Sequence, residues 1–265
     1  MSEPSLFRVG GVLSADIAVP EHEREVRFYS RVLCTGERPL WREDLMNSRG
    51  IPIIGLGPRS ADYEHLPLQW MPHIQVADVA ASVQRAVERG GRELMHARGD
   101  DGKSQWAVLL DPNGAAFGII PVIPAGAMPP SDDSASRDTD EPVGCVRWLD
   151  LTIANAAATR DFYQQVIGWS VQEVEREVDG ERYSDFTMLG GDGNPAAAIR
   201  HARGTNAGLP PVWIISVPVG DLAESLRRVP EEGGKVIQTT PSAKGDCASA
   251  VVQDPVGAYL GLLPA

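Results

Sequence analysis

Hydrophobic and polar positions along this chain alternate with two periods. The run GVLSADIAV from Gly11 to Val19 reads as a strand, and behind it Val26, Tyr29 and Leu33 recur at helical spacing. The stretch EHEREVR that leads into that helix reads as a solvated face, with His22 a poor candidate for a ligand. Strand-like segments follow near residues 41–46 and 51–56. The rhythm then restarts with a strand over 69–76 and a helix from Asp78 with Val79, Val83 and Val87 inward. Gly90-Gly91 ends that helix, strands follow near 93–96 and 106–110, and Asp111-Pro112-Asn113-Gly114 reads as a tight turn before a strand over 115–121. Beyond residue 142 the order returns: strand 146–153, helix 156–167, strands to Ile199, strand 213–219, helix 221–230, then strands. Asp221 with Glu224 has the spacing of a capping box. The pattern predicts an α+β chain of four strand–helix–strands modules.

The modules are copies. LPLQWMPHIQVADVAASVQRAVERGG reappears as LPPVWIISVPVGDLAESLRRVPEEGG, with Leu66 and Leu209, Asp78 and Asp221, and Gly91 and Gly234 each 143 residues apart. The same offset carries DPNGAAFGIIP onto DPVGAYLGLLP. Phe28-Tyr29 matches Phe162-Tyr163 at an offset of 134, so the second copy is nine residues longer between its first helix and its Leu-Pro element. A Pro-, Ser- and Asp-rich stretch lacking either period separates the copies. The expected organisation is a first domain over residues 6–124, a linker over 125–141 and a second domain over 142–265.

Composition narrows the function. A length of 265 residues suits about two domains. A net charge of −12 argues against nucleic acid and anionic membrane as partners, because both need a positive surface. Cys34, Cys145 and Cys247 lie far apart, with no C-x-x-C spacing and no disulfide framework. The first residues show no basic segment followed by an apolar run, so no signal peptide and a cytoplasmic location are expected. G-x-S-x-G, Walker A and G-x-G-x-x-G patterns do not occur.

WLDLTIANAAATRDFYQQVIGW, the W-x-x-x-V-x-V-x-D-L element with its helix, and DPxGAxxGxxP together resemble the vicinal oxygen chelate superfamily, the glyoxalase, bleomycin-resistance and extradiol-dioxygenase group. The resemblance spans nearly all of both copies and is nearest to two-domain, glyoxalase-like bacterial proteins. It implies tandem glyoxalase-like domains, each of two βαβββ modules forming a cupped eight-stranded sheet with the site inside the cup. It also implies where metal ligands of metal-using members would fall: Ser14 and Trp148 on the first strands, about Met71 and Ile214 on the later ones, and Gly118 and Gly261 after the D-P-x-G turns. None is a carboxylate or an imidazole. The expected protein therefore binds a small organic molecule without the usual metal triad. No cofactor is expected. A divalent metal (Zn, Fe, Mn or Ni) enters only through a rearranged site, in a lyase or dioxygenase using Asp150 and His201. A metal-free acid–base enzyme is a further alternative, and the chain is expected to be a monomer or homodimer.

Strand alternation nominates the residues. Ser14 and Asp16 share one face of the first strand, and His73 and Gln75 share a face of the fifth. Asp16 orienting His73 would form an acid–base pair. In the second copy Trp148 and Asp150 share a face with Thr152, with Ser216 and Tyr259 expected as further ligand contacts. His201 and Arg203 open a loop expected to contact the ligand. Trp70 and Trp213 occupy equivalent places and read as packing. Asp78, Asn155 and Asp221 read as helix caps, and Asp111 and Asp254 as turn residues.

Overall fold

A computed structural model describes residues 7–124, 142–242 and 247–265; the expected linker, 125–141, lies outside the described residues. The first module supplies β1 (Val12–Val19), α1 (His22–Leu33) and β2 (Ile54–Pro58). The second supplies β3 (Met71–Val76), α2 (Val79–Glu88), β4 (Arg92–Arg98), β5 (Ser104–Leu110) and β6 (Ala116–Pro121). The third has β7 (Trp148–Ile153), α3 (Ala156–Ile167), β8 (Ser170–Val178), β9 (Glu181–Leu189) and β10 (Pro195–His201). The fourth has β11 (Trp213–Val219), α4 (Leu222–Glu231), β12 (Lys235–Pro241), β13 (Cys247–Gln253) and β14 (Tyr259–Pro264). The chain is α+β, and its described residues form one six-stranded and one eight-stranded sheet, both open.

Eight strands were expected in each sheet, and the first has six. The loss falls on residues 34–53, where Trp41 and Asn47 form only an isolated bridge. There the Asn47 side chain accepts the N–H groups of Arg49 and Ile51, at 3.0 and 2.9 Å. This local turn takes donors a ladder would need. Pro39 and Pro52 remove two more.

Packing groups the chain into two compact units. Of the described residues, one comprises 7–13, 71–124 and 148–213, the other 14–70, 142–147, 214–242 and 247–265. In the first unit β3 pairs with β6 in parallel, and β6, β5 and β4 run antiparallel. Likewise β7 pairs with β10 in parallel, and β10, β9 and β8 run antiparallel. Helices α2 and α3 pack together, and the Arg85 guanidinium donates to the carbonyl of Gln165 at 2.6 Å. In the second unit β1 pairs with β2 and β11 with β14 in parallel, β14, β13 and β12 run antiparallel, and α1 packs on α4. The Trp41 indole N–H donates to the carbonyl of Pro218 at 2.7 Å.

The helices begin where their caps dictate. Asp78, Asn155 and Asp221 each accept a backbone N–H three residues on, satisfying a donor that the first turn leaves unpaired. The two D-P-x-G turns close on Gly114 and Gly257, whose φ values of +90° and +100° favour glycine. Two inward positions differ from expectation. Val87 is 51% exposed, because α2 turns Val79, Ser82, Val83 and Ala86 to the core instead. In α1 the buried stripe is Glu25, Phe28, Tyr29, Val32 and Leu33, so the stretch read as wholly solvated puts Glu25 inside.

Candidate functional site

The best-furnished polar face in the first unit lies on β7 and β10. Trp148, Asp150 and Thr152 alternate onto one face of β7, and the register opposes Ala198 to Asp150 and Arg200 to Thr152. Arg200 Nε donates to Asp150 Oδ1 at 2.6 Å, with side chains 29% and 27% exposed. Trp148 is half-buried beside them. Thr152 is 2% exposed, and its hydroxyl has no hydrogen-bond partner among the described residues. A buried hydroxyl in that state forfeits about 1–3 kcal/mol relative to water. The face therefore offers a guanidinium, a carboxylate, an indole and an unsatisfied hydroxyl. The expectation missed Arg200, although alternation along 195–201 puts it two residues beyond Ala198 on the same face.

His201 points away from this group. It sits one residue beyond Arg200, on the opposite face, so Asp150 and His201 are not brought together. Its Nδ1 lies 3.4 Å from Asp185 Oδ1, the same oxygen accepts its backbone N–H at 2.8 Å, and the Tyr183 ring packs edge-on at 5.3 Å. Arg203 pairs with Glu181 at 3.0 Å and stacks over Tyr183. These contacts brace the end of β10 and the following loop.

Three of the other candidates share one device. Within the first unit His73 is in register with Gly118 on β6, and a Cβ there would come within 2.6 Å of its imidazole. Within the second unit Asp16 lies across Gly55 of β2, and Ser216 across Gly261 of β14; a Cβ at either glycine would collide with the polar side chain. Each glycine lets a polar group lie flat on the neighbouring strand. Ser14 is half-buried on the Asp16 face of β1, and Tyr259 is half-buried opposite Gln253 at the start of β14. Gln75 serves structure: fully buried, its amide donates to the Gly11 carbonyl at 3.3 Å and accepts the Ile123 N–H at 3.0 Å.

The six positions at which the family resemblance implies metal ligands do not fit a divalent cation. Ser14, Met71, Gly118, Trp148, Ile214 and Gly261 supply no carboxylate or imidazole, and the space over Gly118 is filled by the His73 ring. Among the described residues no three His, Cys, Asp or Glu side chains gather to hold an ion.

Behind the sheets each unit keeps a buried polar chain at its D-P-x-G turn. In the first unit Trp213 Nε1 donates to the Tyr163 hydroxyl at 2.8 Å, and that hydroxyl lies 3.4 Å from Asp111 Oδ2. Asn113 Nδ2 reaches both Asp111 and the Thr159 hydroxyl, at 3.4 and 3.0 Å. In the second unit Trp70 Nε1 donates to the Tyr29 hydroxyl at 3.0 Å, and Tyr29 donates to Asp254 Oδ2 at 2.8 Å. By the repeat offsets Glu25 stands where the other unit has Thr159, and Val256 where it has Asn113. Burial pushes the phenols of Tyr29 and Tyr163 well above their ordinary range and raises Asp111 and Asp254. Trp70 and Trp213 are thus packing residues whose indole N–H groups also anchor these chains.

Comparison with known proteins agrees with the architecture. Residues 14–120 match the glyoxalase-like domain family, and residues 146–262 match the Glyoxalase/Bleomycin resistance protein/Dioxygenase superfamily. CFP32 of Mycobacterium tuberculosis, whose name assigns it provisionally as a glyoxylase, is 22% identical over 99% of this chain and 98% of its own. The anthracycline biosynthesis protein DnrV of Streptomyces peucetius is 31% identical over 43% of this chain and 45% of its own. Among solved structures, a variant of homoprotocatechuate 2,3-dioxygenase from B. fuscum in complex with HPCA aligns with a TM-score of 0.57 at 12% identity, covering 100% of this chain and 74% of that one. A mutant of 4-hydroxymandelate synthase from Streptomyces coelicolor aligns with a TM-score of 0.56 at 12% identity, covering 97% and 93%. At such identities these likenesses speak for the fold alone. With a matching domain in each copy and the four-module pattern throughout, the chain belongs to the vicinal oxygen chelate superfamily as a tandem glyoxalase-like protein.

Proposed function

We propose that the protein binds a small organic molecule against the β7–β10 face. The observation that carries this reading is the buried, unpartnered hydroxyl of Thr152 beside the half-buried Asp150–Arg200 pair. Ligand sites combine apolar walls with a few polar anchors, and a bound oxygen would satisfy this hydroxyl. Arg200 engages Asp150 through Nε, leaving its terminal nitrogens to face an acceptor. Trp148 offers a ring surface to a planar group. A monocyclic hydroxybenzoate matches this set: carboxylate to Arg200, ring to Trp148, hydroxyl to Thr152. The partner is then a small molecule; no described helix is long and apolar enough to cross a membrane.

Thermal unfolding with hydroxybenzoate isomers tests the reading. A ligand at about 100 times its dissociation constant adds roughly 2.7 kcal/mol to the folded state, so the midpoint should rise and Arg200→Ala should abolish the rise. A rise that survives Arg200→Ala and Thr152→Val together, or no rise with any isomer, rejects this face as the site.

The acid–base alternative draws on the His73 ring over Gly118. In that reading a bound molecule presents a proton to the imidazole. Gly118→Ala would then displace the ring and abolish turnover while leaving binding at the β7–β10 face intact.

A further inference from the structure

A buried carboxyl in the second unit is used by none of the chemistry above. We propose that Glu25 is carried as a neutral acid facing Asp254 in the native protein, and that losing its proton under alkaline conditions loosens the packing of α1 on the turn between β13 and β14.

Glu25 is 0% exposed; among the described residues no N–H or O–H group donates to its oxygens, and its carboxyl meets the Asp254 carboxyl, with which it can share a hydrogen bond only by keeping its proton. An ionised carboxylate so placed would lack both water and donors. Asp254, the acid it faces, is differently furnished. Asp254 Oδ1 accepts the N–H groups of Val256 and Ala258 at 3.1 and 2.7 Å, and Oδ2 accepts the Tyr29 hydroxyl. Three donors favour the anion at Asp254, so the proton resides on Glu25. The first unit avoids the issue, because the matching position is the neutral Thr159, bridged by Asn113 to Asp111.

Among the described residues no cation forms an ion pair with Glu25, and the surrounding charges only partly offset its burial. On α1 Glu21 opposes ionisation while Arg24 favours it, and Arg24 also pairs with Glu21 at 3.1 Å. From α4, Glu232 engages Arg27 and Arg31, and Arg228 engages Glu224. Toward β2, His22 Nε2 contacts the carbonyl of Leu56, and from the segment before β3 the Trp70 indole is committed to Tyr29. Burial first, and then Asp254, push Glu25 from an ordinary 4.5 up to about 8. Between these two values the native state holds a proton that the unfolded chain has lost. Stability from this group is therefore full below pH 4.5 and is lost as pH rises through 8.

The test is the unfolding midpoint against pH for the full chain, for Glu25→Gln, and for Glu25→Thr with Val256→Asn, which installs the first unit's arrangement. Both variants should gain several degrees on the parent between pH 5 and pH 9. Parallel curves for all three overturn the proposal. Infrared difference spectra of the parent give a readout independent of variant folding. A protonated carboxyl band at pH 7 that titrates near pH 8 is expected, and its absence at pH 7 overturns the proposal as well.

Discussion

Thr152 in one unit and Glu25 in the other are both buried polar side chains that no donor or acceptor among the described residues satisfies in the ordinary way, yet their surroundings differ. Thr152 sits on a strand face beside two partly exposed charged groups, where an arriving molecule could supply the missing bond. Glu25 sits beneath a helix against Asp254, where a proton is the smallest thing that relieves it. An unsatisfied group near an open polar face points to a ligand, while one sealed in a core points to a protonation state. The two buried chains behind them make the same contrast. Both retain the order Trp, Tyr, Asp, and they differ where one has Thr159 and Asn113 and the other Glu25 and Val256.

The largest expected effect probes what the units share. Trp70→Ala and Trp213→Ala should each cost about 3–5 kcal/mol in urea unfolding, since both remove a fully buried indole. A difference much above 1 kcal/mol between them would break the equivalence of the two chains. Smaller, and unequal, are the turn aspartates. Asp111→Ala strands the N–H groups of Asn113 and Ala115, for about 2 kcal/mol in all at the low end of the usual cost per group. Asp254→Ala strands a similar pair but also removes the acid that faces Glu25, so it should cost less at pH 8 than Asp111→Ala does. Equal costs at that pH would argue that Glu25 and Asp254 do not interact.

Thr152→Val comes next. Replacing an unpartnered hydroxyl by a methyl group should raise stability by up to about 1 kcal/mol without ligand. It should also weaken hydroxybenzoate binding about fivefold to tenfold, by the usual worth of a hydrogen bond. A loss of stability without ligand would mean the hydroxyl is already satisfied. The smallest effect is expected from Zn²⁺, Mn²⁺, Fe²⁺ or Ni²⁺, which should move the midpoint by under about 1 °C. A site saturated at 100 times its dissociation constant would move it by several degrees, and such a rise abolished by Asp150→Ala or His201→Ala would restore the rearranged-metal reading.

Much of the fold was legible because the chain states it twice. The repeat offsets, the caps at Asp78, Asn155 and Asp221, and the D-P-x-G turns locate the same elements the structure contains. The missing strands of the first sheet were less legible, since the side chain of Asn47 diverts local N–H groups in a way periodicity does not register. Glu25 was hidden by its neighbours. In EHEREVR every polar residue looks solvated, and only the rotation of α1, fixed by Phe28 and Tyr29, shows which one turns inward. Site residues split along the same line. Alternation placed Trp148, Asp150 and Thr152 together and puts Arg200 on the face of Ala198, but only the β7–β10 register brings that face beside Asp150 and separates His201 from it. Gln75 looked like a ligand anchor because alternation says nothing about the backbone groups that occupy its amide.

The most direct test of the ligand face is a methyl- and indole-resolved NMR titration of the full chain with the hydroxybenzoate isomer that gives the largest thermal shift. The account expects the Thr152 methyl and the Trp148 indole resonances to move together along one saturable curve, and to stay still in Arg200→Ala. Movement confined to other tryptophans, or a Thr152 methyl that does not respond while binding saturates, would contradict it.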